Sequence, residues 1–171
     1  MKHFLLIAIF IINLEAGILD FKSLQSDFVQ TITNDENSTI TYTGTFYATA
    51  ASQALWIYQS PIKKSVYFDG NHVAIVEPEL EQVIMTTLRR SPNLTQIIAD
   101  AKKINHDTYK ATYENTDYFI DIKTGTIQDI RYKDKLDNHV IIHLKNLQKN
   151  IILDRALFHI KIPTGYDVID Q

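Results

Sequence analysis

Two groups of side chains in this sequence are spaced as if for chemistry: His139 and His143, with Ile141 between them, and the carboxylates Glu77, Glu79 and Glu81. Either could hold a cation, and the carboxylates could move protons. Spacing decides against both. On a strand, four residues separate two side chains by about 13 to 14 Å, too far to share one ion. The glutamates alternate around Pro78 and lead into Val83 and Met85, which reads as a turn entering a strand, without an Asp/Asn-rich calcium loop around it. No G-x-S-x-G elbow occurs, and the five glycines are isolated from one another, so no phosphate-cradling loop forms. The absence of cysteine excludes thiol redox work and cysteine-based zinc sites. The expectation is a protein without catalytic residues, metal or cofactor.

The elements that would have to position a site come next. Met1-Lys2-His3 is a basic start, Phe4 to Ile12 is an unbroken apolar run, and Ala16 is a small residue suited to cleavage. That run is shorter than the roughly 20 residues a spanning helix needs, so residues 1–16 read as a cleavable signal peptide and 17–171 as one mature domain. A chain of this length can bury a single core. Lys plus Arg total 17 against 20 Asp plus Glu, a net charge of −3, with no basic cluster longer than a pair; nucleic acid is not an expected partner.

Ile18, Phe21, Leu24, Phe28 and Ile32 recur at spacings of three and four, which predicts an N-terminal helix. From Thr39 the period falls to two, with Ile40, Tyr42, Gly44, Phe46 and Ala48 on one side and threonines on the other. Short strands follow over residues 54–58, 65–68, 72–76, 82–88, 108–114, 118–123, 126–133, 138–147 and 158–162, joined by turn pairs such as Asp69-Gly70 and Thr124-Gly125. Connections this brief join antiparallel neighbours. One interruption, Ser91-Pro92-Asn93-Leu94, opens a second helix whose face is Leu94, Ile97, Ile98 and Ala101, continued by Ile104. A sheet of nine or more strands tends to curl. The predicted fold is therefore mainly β (α+β), an unclosed antiparallel half-barrel around two amphipathic helices, and the space between is either packed core or a pocket.

Large apolar residues, among them Trp56, Tyr58, Phe68, Met85, Tyr132 and Ile142, occur on nearly every predicted strand. Periodicity alone allows them to be ordinary core. Order along the chain adds more: Gly44-Thr45-Phe46, then Leu55 through Pro61, then Asp69-Gly70-Asn71, then Glu77 through Val83, and finally Phe158 through Ile169 with its Pro163-Thr164-Gly165 tail. With Asp27-Phe28-Val29-Gln30 matching a Phe-x-Gln pattern in the first helix, this series resembles the periplasmic lipoprotein carrier family LolA.

The resemblance implies an apolar cavity under a helical lid that holds the acyl chains of lipoproteins. It implies a monomeric, periplasmic shuttle that takes cargo from an inner-membrane lipoprotein-releasing ABC transporter and delivers it to the outer membrane, in many relatives through a lipoprotein receptor of similar fold. The expected cargo-contacting residues are Phe46, Trp56, Tyr58, Phe68, Met85, Leu94, Ile97 and Ile98, with the segment from Pro92 to Ile104 as lid. A one-residue error of register would move the strand members of that set outside. The sister receptor is itself acylated on a cysteine, which this chain lacks. A binder of free lipid or another small apolar ligand is the alternative. The chain also departs from the family: where members commonly carry an Arg-Pro pair and a second Arg before the Trp, it has Ala50-Ala51 and Leu55. The lid-latching role linked to that first Arg does not carry over.

Overall fold

The computed structural model describes residues 19–87 and 94–171. Its strands are β1 (Ser23–Thr33), β2 (Thr39–Thr49), β3 (Gln53–Ser60), β4 (Lys64–Asp69), β5 (His72–Glu77), β6 (Gln82–Thr87), β7 (Lys102–Lys103), β8 (Thr108–Tyr113), β9 (Thr116–Lys123), β10 (Thr126–Lys133), β11 (His139–Lys149) and β12 (Asp167–Asp170). A single helix, α1 (Leu94–Asp100), interrupts them among the described residues. All twelve strands form one sheet in the order β12-β6-β5-β4-β3-β2-β1-β11-β10-β9-β8-β7. Its two ends, β12 and β7, are not paired to each other, so the half-barrel is unclosed. Pairing is antiparallel except where β12 joins β6.

Local chemistry explains the hairpins. Asn34 Oδ1 accepts from the Ser38 N–H at 2.8 Å, and Asp134 Oδ1 accepts from the N–H groups of Leu136 and Asn138 at 2.8 and 3.0 Å. Each side chain substitutes for backbone partners inside a tight loop. These two turns close the β1–β2 and β10–β11 hairpins at neighbouring positions, because β1 pairs with both β2 and β11.

Three sequence expectations are corrected. The stretch around Phe28 is a strand, not a helix: β1 is flanked by β2 and β11 along its length, and its inward positions are Leu24, Ser26, Phe28 and Gln30. The polar Ser26 and Gln30 interrupt the apolar alternation, leaving the spacing of three and four as the more visible pattern. Tertiary pairing on both sides outweighs it. The second helix stops at Asp100, because Lys102 and Lys103 are drawn into pairing with Lys110 and Tyr109. Residues 158–162 are not a strand. Arg155–Phe158 is a 3₁₀ turn, capped by the Asp154 carboxylate accepting from the Ala156 N–H at 2.9 Å, and the closing strand comes later, at Asp167–Asp170. The expected signal peptide and the expected helix opening at Ser91-Pro92 lie outside the described residues.

The core follows the inner face of the sheet. Leu24, Phe28, Phe46, Trp56, Ile120, Ile127, Ile130 and Ile142 pack in one cluster with Leu94, Ile97 and Ile98 of α1. A second, smaller cluster lies on the other face, where Ala74, Val76 and Val83 meet Tyr67, Met85, Ile160 and Tyr166.

Candidate functional site: an apolar cavity beneath a short helix

The cavity wall begins with a glycine. Gly44 lies between Phe28 and Tyr58 in register, and a β-carbon there would meet the Ile57 carbonyl oxygen at 2.0 Å and the Phe28 ring at 2.8 Å. Without one, Phe28 lies down over the backbone, 2% exposed, and its ring meets Trp56 edge-on at 5.0 Å and Tyr58 at 5.2 Å. Phe46 approaches Trp56 to 4.3 Å and Tyr42 approaches Tyr58 to 5.7 Å. A continuous aromatic wall results, each contact worth on the order of 1 kcal/mol beyond the area it buries.

Against this wall the sheet and α1 leave a cavity of about 190 Å³. Trp56, Tyr58, Val66 and Phe68 line one side, Tyr118, Tyr132 and Ile142 the other, Leu94 and Ile97 come from the helix, and Gln30 completes the floor. Five of the eight residues predicted for cargo contact therefore surround one space: Trp56, Tyr58, Phe68, Leu94 and Ile97. Phe46 and Ile98 are fully buried in the same cluster without lining the cavity.

Met85 is corrected. Leu55, Tyr67, Ala74 and Met85 are successive partners across β3 to β6, while Trp56, Val66, Ile75 and Ile84 form the adjacent row. Side chains of adjacent rows point to opposite faces, so Met85 belongs to the outer cluster under Ile160 and Tyr166. Sequence reasoning missed Gln30, Val66, Tyr118, Tyr132 and Ile142. Tyr132 and Ile142 stood among the surplus apolar residues but lacked a register to place them, and Gln30 is polar on a stretch read as helix.

Burial sets the electrostatics of the cavity. Burial, together with the neighbouring Tyr42, pushes the Tyr58 phenol up from 10.0 to about 12. Burial likewise raises Tyr132, with smaller contributions from Tyr118, Tyr58 and Asp134. Phenols held neutral this firmly are poor bases and nucleophiles at neutral pH. Among the described residues no carboxylate, histidine or serine lines the cavity. At its edge the Lys64 ammonium stands over the rings of Tyr58 and Tyr42, 4.7 and 5.5 Å from their centroids. Two of the residues that first suggested chemistry are engaged elsewhere: His143 Nδ1 meets the Asp129 carboxylate at 2.7 Å, and Glu77 accepts from the Gln82 amide at 2.6 Å.

The model of the family "Outer membrane lipoprotein carrier protein LolA" matches residues 20–119. An outer-membrane lipoprotein carrier protein of Campylobacter jejuni is 42% identical over 98% of this chain and 98% of its own length. This chain belongs to the LolA family. Another relative of the same name, from Wolinella succinogenes, is 33% identical over 87% of each chain. Among solved structures, a LolA superfamily protein from Nitrosomonas europaea superposes with a TM-score of 0.54 at 11% identity, covering 81% of this chain and 90% of that one. An uncharacterised conserved protein from Thermus thermophilus superposes at 0.56 and 9% identity, over 90% and 93%. Both show the same open-sheet fold.

Within this LolA chain the two departures from the family pattern have a structural setting. Ala50 borders a second space of about 280 Å³ that Thr95, Gln96 and Ala99 of α1 also line, so the position where the family commonly has Arg lies beside the helix. Leu55 is 2% exposed and belongs to the outer row that includes Tyr67 and Met85. Arginine at that position would take a charge into a buried site.

Proposed function

We propose that the protein is a periplasmic, non-enzymatic carrier that shelters the acyl chains of lipoproteins in the cavity beneath α1. It receives them from an inner-membrane lipoprotein-releasing ABC transporter and passes them towards the outer membrane, through a lipoprotein receptor where one is present. It works as a monomer. The observation that carries this reading is the composition of the cavity: among the described residues its walls are aromatic and aliphatic, with neutral phenols and one carboxamide. Its expected contacts with cargo are Trp56, Tyr58, Val66, Phe68, Leu94 and Ile97. The names of the Campylobacter and Wolinella relatives support the same role.

Magnitudes explain why such a carrier is needed and how it loads. A buried acyl chain is stabilised by about 0.8 kcal/mol per methylene, so a chain of roughly sixteen carbons needs on the order of 12 kcal/mol to leave a membrane unaided. The cavity must offer comparable apolar area. At about 190 Å³ it is smaller than the roughly 300–1,000 Å³ typical of small-molecule sites, so loading requires α1 to move outward. A helix of seven residues is not stable by itself in water; its position depends on the apolar contacts of Leu94, Ile97 and Ile98. Acyl chains can replace those contacts with others of the same kind.

Native mass spectrometry of the mature protein, isolated from the periplasm of cells expressing a tagged lipoprotein, tests this directly. A one-to-one complex that is lost when the lipoprotein lacks its acyl chains is the expected result. Arrival with free lipid instead would assign the cavity to a small apolar ligand and end the carrier reading.

A further inference from the structure

Gln30 is out of keeping with its surroundings. It is 9% exposed, points into the inner face between Ile142 of β11 and Tyr42 of β2, and borders the cavity. The other buried polar side chains of β1 give their protons to backbone: Ser23 Oγ to the Ile151 carbonyl at 2.5 Å and Ser26 Oγ to the Lys145 carbonyl at 2.8 Å. Gln30 has no such closure. Its carboxamide oxygen accepts from the Tyr58 hydroxyl at 3.1 Å, and among the described residues that is the side chain's only hydrogen bond. Among the described residues the two N–H groups of the amide therefore have no protein acceptor, and the residue lines the cavity.

A wall meant only for hydrocarbon gains nothing from this. Burying an amide costs free energy unless its donors are satisfied, and leucine would pack the same position without that cost. Tyr58 makes the arrangement directional. A phenol donates one proton, so its bond to the amide oxygen fixes that end and leaves the nitrogen end for something that accepts. What enters a greasy cavity and carries an acceptor is an acyl group, whose ester or amide carbonyl terminates the hydrocarbon.

We propose that Gln30, held by Tyr58, is the position in the cavity that reads the acyl carbonyl: its N–H donates to the ester or amide oxygen of the bound chain and so fixes how deep the chain sits. This rests on the carrier reading and adds to it the chemical feature recognised, an acyl carbonyl rather than hydrocarbon alone.

Trp56 is the only tryptophan in the sequence and lines the cavity, so its emission reports occupancy. Binding of methyl decanoate and of dodecane, both delivered from cyclodextrin, is titrated for the wild type, Gln30→Leu and Tyr58→Phe. The ester-to-alkane affinity ratio, compared between proteins, cancels the different hydration of the two probes. One neutral hydrogen bond predicts a ratio about three- to ten-fold higher in the wild type than in Gln30→Leu. Tyr58→Phe should lower the ratio by less, since the amide survives but turns freely, and it carries the test if Gln30→Leu does not fold. An equal ratio in the wild type and the folded variant overturns the proposal while dodecane binding leaves the carrier reading standing. Failure of the wild type to bind either probe overturns both.

Discussion

The strands β3 to β6 carry two apolar faces, and the chain treats them differently. On the outer face Tyr67, Ala74 and Met85 are covered by the chain itself, through Ile160 and Tyr166. On the inner face the neighbouring row starts at Trp56 and Val66 and looks into a space that α1 covers. Composition does not separate these faces, since both are aromatic and aliphatic. What separates them is whether the chain supplies its own filling. The face that the chain's own C-terminal segment covers is structure, and the face left part-empty beneath α1 is the one the proposed function assigns to cargo.

The sharpest way to break this contrast is at Gly44. A methyl group there collides with the Ile57 carbonyl and the Phe28 ring, so Gly44→Ala should displace β3 or expel Phe28. We expect a loss of about 3 kcal/mol or more, read by denaturant unfolding, together with loss of ligand response at Trp56. A matched pair then separates the faces. Met85→Ala should cost about 2 kcal/mol of stability with ligand affinity unchanged, whereas Phe68→Ala should weaken acyl-chain binding more than it lowers the melting temperature. Equal effects of the two on binding would remove the distinction.

Ala50 addresses the element that closes the inner face. Arginine at this position has about 280 Å³ beside Thr95, Gln96 and Ala99 of α1 to occupy. Hydrogen bonds from it to the helix should slow cargo release by roughly ten-fold. An unchanged release rate for Ala50→Arg would sink the idea that this chain has lost a latch.

The smallest expected effect is a pH dependence. Tyr58 has a folded pKa of about 12 against 10.0 for a free phenol, and Tyr132 is raised in the same direction. The folded state thus favours the neutral phenols. For Tyr58 that contribution to stability is complete below pH 10.0 and is lost as pH rises through about 12. Thermal melts across that alkaline window should fall for the wild type and fall less for Tyr58→Phe.

Much of the sheet was legible in the sequence because alternation and turn pairs are local signals: β2 to β6 and β8 to β11 lie where period and punctuation put them. The first strand was hidden by the inward Ser26 and Gln30, and the residue that obscured its period is the one that gives the cavity its polar group. The choice between the Trp56 and Leu55 rows was not readable either. Both alternate equally well, and what decides between them is the C-terminal segment around Ile160 and Tyr166 crossing back over the outer row from more than seventy residues away in sequence. Met85 was misplaced for that reason. The shortening of α1 depended on a two-residue pairing at Lys102–Lys103, too brief to show any period.

Val66 and Tyr67 are adjacent on β4 and lie on opposite faces, one lining the cavity and the other in the outer cluster. A photo-crosslinking amino acid placed at each position in turn, followed by irradiation with a diacylated lipoprotein, tests the central claim most directly. The account predicts capture of the lipoprotein from Val66, abolished when the acyl chains are removed, and no capture from Tyr67. Capture from Tyr67 alone, or from both positions alike, would contradict it.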